Sequence, residues 1–391
     1  MVGEGNDKIS LWPGVRAARK RSAKPSTRVQ LPPRPPMKID FKKVLAQKRD
    51  LVWPEIKSHL DTLLDFPQFC QVPVKYKRLA KFHQSIISEY PKRQGKYLRP
   101  SLTLLTASAM GFPEEKAVKT AAAMQMSEDW ILNHDDIEDD SLQRRGKPAL
   151  HKMIGKQLAI NAGDGLHVLM WKALTDNASV VGSQKAREIS EEFYQMLSRT
   201  VLGQTVELKW IKDNKRNLTD EDVFFILESK TAYYTIAGPM RLGAILAGAS
   251  GSQLEAIYRF GRPLGRCFQI VDDLLDLTSD FAGLKSQPGN DIYEGKRTVM
   301  LVHLLSKAKG NDKKKLEKIM AKPREEKTDR EVSWTIEAMN KYGSIAHGKK
   351  LAEKFKIEAR NVFDKNLGFL SCQPARNKLI AGMEFILERD H

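Results

Sequence analysis

The chain has 391 residues, of which 41% are apolar, and this is enough to bury a sizeable core. Its net charge of +17 suits anionic partners such as nucleic acid, acidic lipid or phosphorylated small molecules. Three widely spaced cysteines, Cys70, Cys267 and Cys372, exclude a disulfide scaffold and a cysteine zinc site, and no stretch approaches the ~18 uncharged apolar residues of a membrane span.

Residues 1–36 hold eight Lys/Arg and two Asp/Glu, with a Pro cluster at the end. So polar a segment cannot bury enough surface to fold, so residues 1–37 are expected to form a disordered, basic, Pro-rich tail. Glu4, Asp7 and the prolines argue against a transit peptide, and no signal-peptide core is recognisable. A helical pattern begins at Met37 and continues through residues 38–391. SLTLLTASAM, EISEEFYQMLSRTVLGQ and AGMEFILERD repeat apolar residues every three or four positions. Alternating strand patterns are scarce, and Gly/Pro punctuation falls at Gly111–Pro113, Gly146–Pro148 and Pro288–Gly289. The expectation is one large all-α domain. The Lys- and Glu-dense stretch from Lys307 to Arg330 reads as solvated helix and loop.

Two acidic clusters stand out. Asp135, Asp136 and Asp139 lie at the end of one helical pattern, with Asp135 and Asp139 one turn apart on a shared face. Like charges at that spacing destabilise a helix, and clustered carboxylate oxygens suit a hard divalent cation such as magnesium. Asp272, Asp273 and Asp276 repeat the spacing among Phe268, Ile270, Val271, Leu274 and Leu275. Carboxylates in so apolar a setting are costly unless paired, and a metal would compensate them. Basic groups accompany both clusters: Lys96 and Arg99, Arg144 and Arg145, Lys230, and Lys296 with Arg297. Arginine forks and lysine point charges both bind phosphate oxygens.

The ordered set resembles the trans-prenyl diphosphate synthase family, which includes the farnesyl and geranylgeranyl diphosphate synthases. The matching runs are GKxxRP at 95–100, HDDxxD with LxRRG at 134–146, Gly203-Gln204, Lys230-Thr231, FQxxDDxxD at 268–276 and GxDxxEGKRT at 289–298. The resemblance covers roughly residues 60–300 and implies an all-helical fold around a deep central cavity, a homodimer, and two to three magnesium ions per active site. It implies that Asp135, Asp139 and Asp272 bind magnesium, with Asp136, Asp273 and Asp276 at or near the shell. Arg144, Lys230 and Lys296 would hold an allylic diphosphate. Lys96, Arg99 and Arg145 would hold isopentenyl diphosphate, and Thr231 and Gln269 would line the point where the carbocation forms. The implied reaction is ionisation of the allylic diphosphate, attack by the isopentenyl double bond, and loss of a proton.

One position departs from the pattern. The family has His or Gln seven residues before the first motif aspartate, and here that residue is Glu128. At about 100° per residue it lies nearly on the face of Asp135. A carboxylate there would repel a diphosphate unless protonated, paired or turned away, so Glu128 is left out of the binding set. Ile131 and Trp130 occupy the positions that set cavity depth in the family. Their bulk implies a fifteen- or twenty-carbon product, with geranylgeranyl diphosphate expected first and farnesyl diphosphate second.

Other classes fit less well. A terpene cyclase would not keep a second intact DDxxD, a non-catalytic partner subunit would have lost aspartates, and base-reading motifs for nucleic acid are absent from the sequence. The expectation is therefore a cytoplasmic enzyme with no nucleic-acid partner and no transmembrane segment, whose basic surface leaves room for peripheral contact with acidic lipid.

Overall fold

Asp40 starts the first helix, its carboxylate accepting the Lys42 backbone N–H at 3.1 Å. The computed structural model describes residues 39–277 and 288–388, and the expected tail over residues 1–37 lies outside them. Helix α1 (Phe41–Asp61) turns Phe41, Val44, Leu45, Val52 and Ile56 inward. It is followed by α2 (Lys77–Ile87), α3 (Glu89–Lys92) and α4 (Leu98–Ala109), and α4 is buried over most of its length. Helix α5 (Val118–Glu138) is the central one. Its Ala121–Ala122–Ala123 run is fully buried and lets neighbours approach on all sides.

A two-strand hairpin follows, β1 (Gln143–Arg144) pairing antiparallel with β2 (Lys147–Pro148). Helices α6 (Leu150–Ile154), α7 (Lys156–Asp176), α8 (Ala178–Val181), α9 (Ser183–Lys212) and α10 (Asp220–Ile226) come next, and α7 packs extensively on α5. Helix α10 runs without a break into a π-helix, Leu227–Ala237, and then α11 (Gly238–Leu246). A reciprocal Ser250–Gln253 cap opens α12 (Gly251–Asp276). The remaining helices are α13 (Asn290–Glu294), α14 (Val299–Lys307), α15 (Gly310–Met320), α16 (Asp329–Lys341), α17 (Ser344–Asn366) and α18 (Ala375–Leu387).

Two apolar cores hold these helices. One joins α4, α12, α14, α17 and α18 through Leu102, Phe260, Ile270, Met300, Phe355, Phe363 and Ile386. The other joins α5, α7, α9 and α11 through Met124, Met126, Leu166, Met170, Phe193 and Leu242. Between them lies a cavity of about 1140 Å³, lined from α5, α9, the π-helix and α12. The all-α expectation and the cavity both hold. Helix α12 approaches the π-helix closely because Gly265 has no side chain; a Cβ there would stand 2.3 Å from the Ala232 Cα. That approach sets Gln269, one turn further along, opposite Thr231. Among the described residues, no helix is long and apolar enough to cross a membrane.

Candidate active site

The end of α5 carries the first acidic cluster. The helix stops at Glu138, and Asp139 caps it by donating its backbone N–H to the Asp135 carbonyl at 2.9 Å. The chain then reverses through the hairpin, whose two central residues, Arg145 and Gly146, both have positive φ, +51° and +75°. That geometry suits a two-residue turn, and glycine makes half of it easy. The reversal returns Arg144 and Arg145 over α5. It is secured when Arg93 donates to the Arg144 carbonyl and Arg145 to the Tyr90 carbonyl, both at 2.9 Å.

Arg144 is bonded to Asp136, its Nε reaching the two carboxylate oxygens at 2.9 and 3.1 Å. Asp136 is fully buried and also accepts from the Tyr90 hydroxyl at 2.5 Å. Asp135 and Asp139 face the cavity instead. Lys296 lies 2.8 Å from Asp139, while Lys230 is 3.9 Å and Arg144 3.7 Å from Asp135. Burial, and then the neighbouring Asp139, push the Asp135 carboxyl up to about 6. Burial would also raise Asp139, but Lys296, Lys230 and Arg144 outweigh it and hold Asp139 below the usual carboxylate range.

The end of α12 carries the second cluster. Asp272 and Asp273 line the cavity, whereas Asp276 is buried and accepts the Asp291 backbone N–H at 2.9 Å. That bond ties α12 to the segment bearing Lys296. A relay crosses the cavity wall: Thr231 Oγ1 donates to Gln269 Oε1 at 2.9 Å, and Gln269 Nε2 to Asp273 at 2.8 Å. Asp273 is raised to about 7, mainly by burial and, against the Gln269 bond, by Asp272 and Asp276.

The cationic residues have acidic partners that the sequence reading missed. Lys230 pairs with Glu207, and Lys296 with Glu294 at 2.6 Å. Glu207 lies one turn beyond Gly203, where a Cβ would stand 2.7 Å from that of Ser229. The Gly203-Gln204 motif is thus the signal that α9 meets the π-helix at this point. Tyr90 and Arg93 carry no comparable signal. Arg297 is only 4% exposed and braces the wall by donating to the Lys215 carbonyl and Asn214 Oδ1, each at 2.9 Å.

The other diphosphate set lies along the same cavity. Lys96, Arg99 and Arg145 line it, and so does Glu128. Glu128 is neither turned away nor alone: its Oε1 is 3.1 Å from Arg99 and 3.7 Å from Arg145. Arg145 also reaches the buried Asp129 at 2.8 Å, and Arg99 donates to Thr235 at 2.8 Å and lies over the Tyr234 ring. Ile131 and Trp130 also line the cavity, with the Trp130 ring stacked on His167 at 4.1 Å between centroids. Of the residues expected at the site, only Asp136 and Asp276 do not line the cavity; both are bonded within the protein behind it.

The family profile described as polyprenyl synthetase matches residues 80–339. A short chain isoprenyl diphosphate synthase of Methanothermobacter thermautotrophicus is 33% identical over 76% of this chain and 87% of its own length. A geranylgeranyl diphosphate synthase of Sulfolobus acidocaldarius is 31% identical over 67% of this chain and 77% of its own. An octaprenyl diphosphate synthase of Escherichia coli is 29% identical over 76% and 86%. Among solved structures, a geranylgeranyl pyrophosphate synthetase of Pyrococcus horikoshii superposes with a TM-score of 0.74 at 26% identity, covering 90% of this chain and all of that one. With the motifs gathered on one cavity and the profile matching most of the chain, this protein belongs to the trans-prenyl diphosphate synthase family.

Proposed function

We propose that the chain condenses isopentenyl diphosphate with an allylic diphosphate (dimethylallyl, geranyl or farnesyl) and releases geranylgeranyl diphosphate. The observation that carries the reading is the single cavity faced by Asp135, Asp139, Asp272 and Asp273, by both cationic sets, and by Trp130. Magnesium fits the donor set, since these are hard carboxylate oxygens. Among the described residues, no three His, Cys, Asp or Glu side chains are grouped to enclose one ion. Magnesium keeps several waters, so each ion would take one or two of these carboxylates, with water and diphosphate completing its shell. Asp135, Asp139 and Asp272 are the ligands in this reading, and bound magnesium supplies Lewis-acid charge to the departing pyrophosphate.

The chain's own residues do the rest. Arg144, Lys230 and Lys296 hold the allylic diphosphate while its C–O bond breaks and both electrons leave with pyrophosphate. Lys96, Arg99 and Arg145 hold isopentenyl diphosphate so that its double bond attacks the cationic carbon. Thr231 and Gln269 present oxygen dipoles to that carbon, and the condensed cation then gives a proton to the released pyrophosphate, which restores the double bond. Product length rests on Trp130 and Ile131, because the relatives range from geranylgeranyl to octaprenyl synthases. The bulk of Trp130 also favours farnesyl diphosphate as the second reading.

We also propose a homodimer. Its support is a set of exposed apolar side chains on α7 and α9, which pack together: Leu158, Val168, Trp171, Tyr194, Val201 and Leu202. Free Cys70, Cys267 and Cys372 support a cytoplasmic site of action, and residues 1–37 are read as a tail outside the enzyme domain. The test is incubation with radiolabelled isopentenyl diphosphate, magnesium and each allylic starter, followed by product chromatography. A twenty-carbon product is expected; a fifteen-carbon one selects the second reading, and no elongation with any starter overturns both.

A further inference from the structure

Glu128 is not absorbed by the reaction just described. Its carboxylate stands among the cations assigned to isopentenyl diphosphate, and its side chain is only 13% exposed. Glu128 Oε1 engages Arg99 at 3.1 Å and Arg145 at 3.7 Å. Glu128 Oε2, Arg99 Nε and Arg145 Nη2 are buried and have no hydrogen-bond partner among the described residues. Two of the three atoms belong to the arginines that would have to meet a phosphate, and a second anion with more acceptor oxygens would satisfy the guanidinium donors that one carboxylate leaves unmet. The charges point the same way. Arg99 and Arg145 are opposed here by Glu128 and Asp129, two charges against two, so this pair offers little net positive charge to a substrate that carries more than one negative charge. Asp129 is committed to Arg145 and Gln125 and lies beneath the surface, whereas Glu128 lines the cavity.

We propose that Glu128 is an internal competitor for the second substrate: its carboxylate occupies Arg99 and Arg145 until the diphosphate of isopentenyl diphosphate displaces it. The inference rests on the prenyl-condensing reading. In this arrangement the arginines are held extended and neutralised in the free enzyme, and the second substrate binds only by breaking two ion pairs. The consequence falls on affinity for isopentenyl diphosphate and not on the chemical step, because the allylic diphosphate is held by Arg144, Lys230 and Lys296.

The test compares the wild-type chain with Glu128→Gln, which keeps shape and hydrogen-bonding reach and removes the charge, and with Glu128→His. Steady-state kinetics are run with isopentenyl diphosphate varied at saturating allylic substrate, and the reverse. Calorimetric titration with isopentenyl diphosphate alone, without allylic substrate, reads binding without turnover. For Glu128→Gln, KM and Kd for isopentenyl diphosphate are expected to fall about tenfold, with kcat and the allylic KM within about twofold. An unchanged or raised isopentenyl KM and Kd would overturn the proposal and make Glu128 a positioning residue for the arginines. If Glu128→Gln does not fold, Glu128→His is read by the same criteria, and failure of both to fold also overturns it. If the wild type shows no elongation, the prenyl-condensing reading falls, whereas elongation with unchanged affinity in the variants removes only the role of Glu128.

Discussion

Around Asp135 and Asp139, the cations Arg144, Lys230 and Lys296 are paired with carboxylates of which Asp135, Asp139, Glu207 and Glu294 line the cavity. Around Glu128 and Asp129, the cations Arg99 and Arg145 are paired with carboxylates that no part of the proposed chemistry uses. Both clusters hold long basic side chains in place by ion pairing, at a cost in the positive field a diphosphate would meet. The difference is what happens on substrate binding. In the first cluster, a metal ion bound to Asp135 and Asp139 would take over those two carboxylates, while Asp136, Glu207 and Glu294 still hold the cations in place. In the second, no metal would relieve the pairing, and the substrate itself has to displace Glu128. Two clusters built from the same residue types should therefore respond differently to mutation, one in turnover and the other in affinity.

The largest effect is expected at the first. Asp135→Asn removes a carboxylate flanked by Lys230 and Arg144 and should lower kcat by about 100- to 1000-fold, the scale of losing one strong electrostatic stabiliser. A loss of less than tenfold in elongation assays would break the distinction between the clusters. Next comes Arg145→Ala, which should raise the isopentenyl diphosphate KM about 10- to 100-fold and leave the allylic KM within about twofold. It also strips the buried Asp129 of its 2.8 Å partner, so the melting temperature should fall as well. Arg145→Lys should recover part of the stability but little of the affinity, because a lysine keeps the charge and loses the fork. Equal rises in both KM values would mean that the two sets of cations are not separate sites.

How much of this was legible in the sequence differs along the chain. The spacing of Asp135 and Asp139 placed both on one face, and both line the cavity. The same spacing could not separate Asp136 from them, because its fate depends on Tyr90, brought in from an earlier helix, and on the hairpin that returns Arg144. Asp276 is similar: it is held by the backbone of Asp291, beyond residues 278–287. The helical wheel put Glu128 on the cavity side but could not name its partners, since Arg99 lies on α4 and Arg145 after the turn. The π-helix over Leu227–Ala237 has no reading in apolar periodicity, yet it carries Lys230 and Thr231. Side-chain type and face are local properties; partner choice is set by packing between distant segments.

A smaller effect is expected at Trp130, which lines the cavity that both clusters share. Trp130→Ala removes the ring stacked on His167 and should lengthen the product by one or more five-carbon units, read by chromatography. His167→Ala leaves Trp130 in place without its brace and should give a mixture in which the longer product is the minor part. An unchanged product in Trp130→Ala would move the floor to another residue, with Ile131 next to test.

The smallest effect bears on the segment that delivers Lys296 to Asp139. Lys327 is 7% exposed and donates to the Tyr293 carbonyl at 2.8 Å, beneath the turn that leads to Lys296. Burial, and then Arg297 and Arg324, bring its ammonium down from 10.5 to about 8. Between those two values the unfolded chain binds the proton and the folded chain does not, so this group's contribution to stability rises with pH across that window and is lost as pH falls through about 8. Lys327→Met removes the titration while keeping an apolar stem of similar length. The wild-type melting temperature, taken relative to Lys327→Met, should therefore climb by about 1–2 °C between pH 7 and 9.5. A flat difference would mean that the ammonium is well solvated and does not strain the turn. A rising one would show that the first cluster's lysine is presented on a segment held at an electrostatic cost, whereas the arginines of the second are held by carboxylates that neutralise them.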